Sequence, residues 1–286
     1  MPLKMYKSGE STSPKIKHII GIAAGKGGVG KSTVTVNLAY ALKSMGYKVG
    51  VMDTDIYGPS IRKMLPEDRF PEQAGQNIIP ALCQGIRMIS MAYFRKENEA
   101  SVVRAPIANG VITQFIKNVD WGDLDYLLID FPPGTGDIQL TLCQQANLSG
   151  AIMVTTPQQV AVMDVRKAMH MFEQVKIPII GVVENMSYYF HRQTGEELHL
   201  FGKGGGKSLA DETGVPFLGC IPIDPQLCQS GDTGRSLFAE QEEKSTTVKR
   251  FLEISKQVVD HVDLLTENAK SFMKSFELQW KEMPNV

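Results

Sequence analysis

Residues 25–33 read Gly25-Lys26-Gly27-Gly28-Val29-Gly30-Lys31-Ser32-Thr33. This is the G-x-x-x-x-G-K-[ST] spacing of a phosphate-binding loop. Its glycines let consecutive backbone N–H groups turn inward around phosphate oxygens, and the start of a following helix adds partial positive charge. Lys31 is then placed to reach the β- and γ-phosphates, and Ser32 to give its hydroxyl to Mg²⁺. A second lysine, Lys26, directly follows the first glycine. Two lysines converging on one triphosphate suggest that one is supplied across a subunit interface.

Carboxylates stand at the positions such a loop requires. Asp130 closes an apolar run in LLIDFPPGTGD and is the expected Mg²⁺-side carboxylate. Asp53 and Asp55 close another run in MDTDIYGPS. A carboxylate there can orient an attacking water and sense the γ-phosphate; the simpler alternative for Asp53 is a loop cap.

These groups need strands that end beside one another. Residues 18–24 (HIIGIAA), 48–52 (KVGVM), 126–129 (YLLI), 151–154 (AIMV), 179–183 (IIGVV) and 215–221 (VPFLGCI) are short apolar runs that read as buried strands. Between them lie amphipathic stretches, with Val34, Leu38, Ala41, Leu42 and Met45 at helical spacing before Gly46, and a further helix from about 160 to 175. The alternation predicts βαβ units and a doubly wound, mostly parallel α/β sheet with ligands at the strands' carboxyl ends. Asp53, Asp130, Thr155 and Asn185 all fall at such ends. Residues 186–206 read as an irregular excursion. Residues 246–265 form an amphipathic helix, followed by a second apolar stripe with Phe272, Phe276 and Trp280 spaced by four. That stripe either packs back on the domain or serves a partner helix. The expected organisation is an arm over 1–17, a P-loop ATPase domain over 18–265 and a C-terminal extension over 266–286.

Composition narrows the class. Across 286 residues, 30 Lys+Arg balance 31 Asp+Glu, so bulk charge gives no reason to expect nucleic acid. No apolar run approaches the ~18–20 residues needed to cross a bilayer. Residues 270–286 hold three lysines against two glutamates, too little charge to bind anionic lipid strongly. The first 17 residues carry four lysines but are not followed by an apolar h-region ending in a small-residue cleavage site, which argues against a secretory signal. The four cysteines, Cys83, Cys143, Cys220 and Cys228, include no CxxC pair and make no disulfide framework. A cytoplasmic setting is expected.

Taken in order, AAGKGGVGKST, DTDIYGPS, IDFPPGTGDIQL, VTTPQQVAVMDVRKAMHMF, GVVENMSYY, FGKGGG and VPFLGCIPID resemble the blocks of the Mrp/ApbC family of iron–sulfur cluster carriers, across roughly residues 18–236. That family lies within the deviant-Walker ATPases, which include MinD, ParA and the nitrogenase iron protein. The IYGPS and PPGTGD blocks set it apart from MinD and ParA. The resemblance implies an ATP-hydrolysing homodimer that passes [4Fe–4S] clusters to apoproteins, alongside other iron–sulfur assembly proteins. It implies that Lys26 acts in trans on the partner's nucleotide and that Asp55 positions the hydrolytic water. It also implies that Asn185 contacts adenine, with Asp224 a weaker candidate for the same ring, and that Asp137 lies in the segment that senses the γ-phosphate.

Two departures stand out. On the family's pattern, no accessory N-terminal domain or four-cysteine N-terminal motif is expected in the short arm. The family's CxxC after the ENMS block falls here on His191 and Thr194. Threonine is not a credible cluster ligand, and one imidazole per subunit gives a dimer only two ligands. Cys83 and Cys143 read as small buried hydrophobes, and the spacing of Cys220 and Cys228 is not that of a cluster pair. The cluster ligands are therefore unassigned. The alternative function is an ATP-driven dimerisation switch that has lost the cluster and acts on a protein partner.

Overall fold

The apolar runs do pair into one sheet. The computed structural model describes residues 16–56, 58–94, 105–191, 193–240 and 245–282. Most of the expected N-terminal arm, residues 1–15, lies outside them. Strand β1 (Ile16–Ala23) leads through the glycine loop into α1 (Lys31–Ser44), and β2 (Val49–Asp53) follows. A four-residue helix α2 (Ile61–Met64) precedes a small hairpin, β3 (Glu72–Ala74) and β4 (Asn77–Ile79), and then β5 (Ala81–Cys83) and β6 (Ile86–Ser90). Next come α3 (Ala105–Asn118), β7 (Leu124–Asp130), α4 (Asp137–Gln145), β8 (Gly150–Thr155), α5 (Gln159–Gln174) and β9 (Ile179–Glu184). The expected irregular excursion is a two-stranded hairpin, β10 (Tyr189–Phe190) and β11 (Glu197–Leu198), leading to α6 (Gly205–Thr213) and β12 (Phe217–Cys220). Helices α7 (Pro225–Thr233), α8 (Leu237–Glu240) and α9 (Thr246–Glu282) complete the described chain.

The main sheet has eight strands in the order β12-β9-β8-β1-β7-β2-β6-β5. All neighbours are parallel except β5, which runs antiparallel to β6 at the edge. After β2 the chain returns to place β7 between β1 and β2, and β8 then pairs on the other side of β1. The winding therefore reverses at β1, and its carboxyl end is where a doubly wound sheet opens a crevice. Register brings the two acidic strand ends together, with Asp53 opposite Asp130.

Both faces of the sheet are covered. On one, α1 and α9 pack Val34, Leu38, Phe251, Ile254 and Val258 against Ile20, Ile22, Val51 and Leu128. On the other, α3, α4 and α5 pack Ile112, Phe115, Leu142, Val165 and Phe172 against Met52, Ile129 and Met153. Burial on both sides explains why the central strands are continuous apolar runs rather than alternating ones. One helix, α9, spans both C-terminal amphipathic segments that the periodicity separates. Its buried apolar side chains run from Val248 to Val262 among the described residues. The side chains of Phe272, Phe276 and Trp280 lie outside the described residues.

Candidate nucleotide site

The glycine loop sits at the carboxyl end of β1, and α1 begins at Lys31. No side chain caps that helix. Its first N–H groups have no intrahelical partner, and together with the loop amides they form a place for an anion. Gly30 takes a left-handed φ of 81°, and a Cβ there would lie 2.2 Å from Asn185 Nδ2. A Cβ on Gly25 would lie 2.0 Å from the backbone carbon of Asp164 in α5. The loop thus needs glycine at one position for its conformation and at the other for close approach.

Asp130 is fully buried and holds three groups from α1. Its Oδ2 accepts the Ser32 hydroxyl at 2.7 Å and pairs with Lys31 Nζ at 2.7 Å, while Oδ1 accepts the Thr35 hydroxyl at 2.7 Å. Lys31 Nζ also donates to Ser32 Oγ at 3.3 Å. A buried carboxylate persists only when paired and hydrogen-bonded, and this one is both. Ser32 Oγ and Asp130 Oδ2 are adjacent hard oxygens, a donor pair suited to Mg²⁺. The backbone carbonyl of Asp130 accepts from the amide and hydroxyl of Thr54, which ties β7 to the turn after β2.

In that turn both oxygens of Asp53 are occupied. Oδ2 accepts the Ser90 hydroxyl at 2.8 Å and Oδ1 accepts the Asp55 amide at 3.2 Å. Asp53 therefore caps and fixes the turn that carries Asp55. Burial, with the nearby Asp130 charge, pushes its carboxyl up to about 7. Asp55 is partly exposed, and its Oδ1 accepts the Gly58 amide at 3.0 Å. A cavity of about 450 Å³ joins Lys26, Lys31, Ser32 and Asp55 to residues of α2 and α7.

The remaining sequence candidates fall around this cavity in different ways. Asn185 is buried, and its Nδ2 donates to the Val29 carbonyl at 2.8 Å, so it braces the loop from β9. Asp224 is the N-cap of α7, accepting from Gln226 N at 2.9 Å and from the Thr247 hydroxyl at 2.5 Å. It lines a second cavity of about 580 Å³ with Tyr189, Phe190 and Pro222. Asp137 is exposed in the first turn of α4, where its charge suits the helix dipole.

At the hairpin, His191 Nδ1 and Thr194 Oγ1 are 3.0 Å apart. The two positions lie side by side and carry no thiolate. Among the cysteines, Cys83 is buried with its thiol pushed up to about 12, and burial raises Cys143 to about 11. Cys220 is half-buried and also raised, with Sγ 3.9 Å from Glu184 Oε1. Raised thiols are poor sources of thiolate. Cys228 is exposed on α7 and lines the glycine-loop cavity. Among the described residues, no three His, Cys, Asp or Glu side chains form a group that could hold a metal ion.

The family model of the NUBPL iron-transfer P-loop NTPases, of the ParA group, matches residues 15–259. The chain belongs to that family. It is 43% identical over 253 residues to the iron–sulfur cluster carrier protein of Aquifex aeolicus, covering 86% of this chain and 69% of that one. Against the carrier of Methanocaldococcus jannaschii it is 47% identical over 253 residues, covering 87% and 86%. The iron–sulfur cluster transfer protein NUBPL of Dictyostelium discoideum is 39% identical over 257 residues, covering 88% and 79%. A nucleotide-binding protein of Archaeoglobus fulgidus, solved with ADP, superposes with a TM-score of 0.68 at 38% identity, over 83% of this chain and 92% of that one. MinD of Pyrococcus horikoshii, solved with Mg-ADP, shares the fold at a TM-score of 0.60 and 22% identity, over 84% and 95%. The family's architecture is that of a nucleotide-hydrolysing P-loop protein.

Several supporting residues escape motif reading. Thr35 reaches Asp130 because it lies three residues after Ser32 on the same face of α1. Helical spacing offers that signal, but only once Asp130 is known to lie beneath it. Ser90 and Thr54 act through strands and turns that no local pattern links to the loop. Glu184 is fully buried and accepts from Ser187 Oγ and Gly206 N, both at 2.6 Å, fastening both ends of the 187–206 segment.

Proposed function

We propose that this protein is an ATP-hydrolysing iron–sulfur cluster carrier, working as a homodimer that binds clusters and passes them to apoproteins. Family membership supports the cargo. The arrangement of Lys31, Ser32 and Asp130 at the reversal point of the sheet is the observation that carries the nucleotide chemistry. Gly25 to Thr33 cradle the phosphates, and Lys31 leaves Asp130 to meet their charge. Ser32 and Asp130 would hold Mg²⁺, which when bound neutralises charge on the β- and γ-oxygens. Asp55, on a turn held by Asp53, orients the attacking water. Asn185 and Asp224 serve the adenine side. Lys26 acts on the partner's nucleotide.

The dimer reading has support at the surface. Phe190, Leu198, Leu200 and Phe201 of the hairpin region are exposed, as are Val160 and Met163 at the start of α5. Gly205 lies close against Pro157, just before α5, and Gly25 lies close against Asp164 within it. Met163 therefore neighbours the stretch of α5 that presses on the loop carrying Lys26, where a second copy would bury it.

A second reading is favoured by His191 and Thr194: an ATP-driven dimerisation switch that has lost the cluster and acts on a protein partner. One experiment separates the two. The protein is reconstituted anaerobically with iron and sulfide, and iron, acid-labile sulfide and ATP hydrolysis are measured together. About four iron and four sulfide per dimer, as one [4Fe–4S] cluster requires, support the carrier. Iron at background with hydrolysis intact supports the switch. In the same assay Asp55→Ala should bind ATP yet hydrolyse it at least about tenfold more slowly. Wild-type turnover in that variant would overturn the role of Asp55.

A further inference from the structure

The wall facing the glycine loop carries a cation that the motif does not include. Helix α2 follows the Asp53–Ser60 turn and presents Ser60, Lys63 and Met64 to the cavity, while Ile61 and Leu65 are buried in the core. The helix is firmly seated. Thr33 Oγ1 of α1 lies 3.8 Å from Met64 Sδ, and the Lys63 carbonyl lies close to Gly234 just after α7. Its two basic residues differ in state. Arg62 is engaged, with Glu67 Oε1 at 2.7 Å and the Tyr93 and Phe70 rings at 4.9 and 5.6 Å from its guanidinium carbon. Lys63 is exposed, and its ammonium forms no hydrogen bond or ion pair with a described residue, yet it lines the same cavity as the phosphate loop.

The charge balance gives this lysine a purpose. Three lysines line the cavity, Lys26, Lys31 and Lys63, and the carboxylates on its walls are Asp55 and Asp232. Lys31 is already neutralised by Asp130. If Lys26 serves the partner's nucleotide, a bound triphosphate meets only one P-loop ammonium from its own subunit. Lysine acts on phosphate as a mobile point charge and needs no fixed fork geometry. We infer that Lys63 is a nucleotide-phosphate ligand acting within its own subunit, from the wall opposite the glycine loop. It thereby ties the segment bearing Asp55 to the presence of phosphate. This rests on the nucleotide reading proposed above.

The test is calorimetric titration of the full chain with ADP and with ATPγS in Mg²⁺, for wild type, Lys63→Ala, Lys63→Arg, Lys63→Glu and Lys207→Ala. Lys207 is an exposed lysine on α6, paired with Asp211 and not part of the cavity wall, and it controls for net charge. Lys63→Ala should weaken ATPγS binding on the order of tenfold, Lys63→Glu more, and Lys63→Arg by less than about threefold. Lys207→Ala should bind as wild type does. The Lys63 side chain has no folded-state partner among the described residues, so these variants should melt with the wild type. Binding by Lys63→Ala and Lys63→Glu within about twofold of wild type would overturn the inference while leaving the nucleotide reading intact. So would an equal loss in Lys207→Ala, which would mark a bulk charge effect. A wild type that binds neither nucleotide would overturn the nucleotide reading, and this inference with it.

Discussion

At the residue scale the site is an economy of buried charge. Asp53 and Asp130 are both fully buried at neighbouring strand ends, and the one ammonium beside them, that of Lys31, pairs with Asp130. Asp130 takes that ammonium and two hydroxyls, while Asp53 has two hydrogen bonds and no ion pair among the described residues. The cost shows in the carboxyl of Asp53, pushed from 3.8 up to about 7. A carboxyl raised on folding contributes stability below its unfolded value and loses it as pH rises through the folded one. Asp53→Asn should therefore melt close to wild type near pH 4. It should gain on wild type as pH climbs to about 7, the value pushed up by burial. Melting curves of the nucleotide-free protein across that range check this; a constant gap between the two proteins would mean Asp53 titrates normally.

At the element scale, the loop is shaped by what presses on it. Helix α5 passes so close to the loop's first glycine that a methyl group there would meet the Asp164 backbone at 2.0 Å. Backbone cannot yield as a flexible side-chain tip can. Gly25→Ala should shift α5 or the loop, abolish nucleotide binding, and lower stability by about 1–3 kcal/mol, the usual cost of overpacking. Calorimetry with ATPγS and a denaturant midpoint would measure both, and wild-type affinity in this variant would contradict the close packing. Gly110→Ala, within α3, where a Cβ would meet nothing within 4 Å, serves as the contrast.

At the scale of the whole molecule, the exposed apolar side chains and Lys26 belong to one question. Met163 is 60% exposed on the first turns of α5, and Leu200 is 61% exposed after the hairpin. In the homodimer reading these side chains are buried only when ATP brings two copies together. Met163→Glu should then leave ATP binding unchanged and block ATP-dependent dimerisation, with turnover falling because Lys26 no longer reaches its partner's nucleotide. Sedimentation in ATP and in ADP reads the first effect and phosphate release the second. A Met163→Glu protein that still dimerises in ATP would place the interface elsewhere.

Much of this was legible in the chain itself. The glycine loop, its lysines and its serine are contiguous, so their chemistry follows from spacing alone. The apolar runs are long enough to mark the central strands, and burial on both faces of the sheet makes those runs conspicuous. Strands β5 and β6 were not legible, because segments of three and five residues carry little periodic signal. The pairing of Asp53 with Asp130, the hold of Ser90 on Asp53 and the brace from Asn185 to Val29 join residues separated by dozens of positions. Strand order and register alone bring them together. The state of Lys63 was likewise hidden, since nothing in IRKM distinguishes an arginine engaged by Glu67 and two rings from a lysine left facing the loop. Local spacing thus determined which groups could do the chemistry. Tertiary packing decided which of them are neutralised, which are held in place and which face the cavity, because those properties depend on neighbours that only the folded sheet assembles.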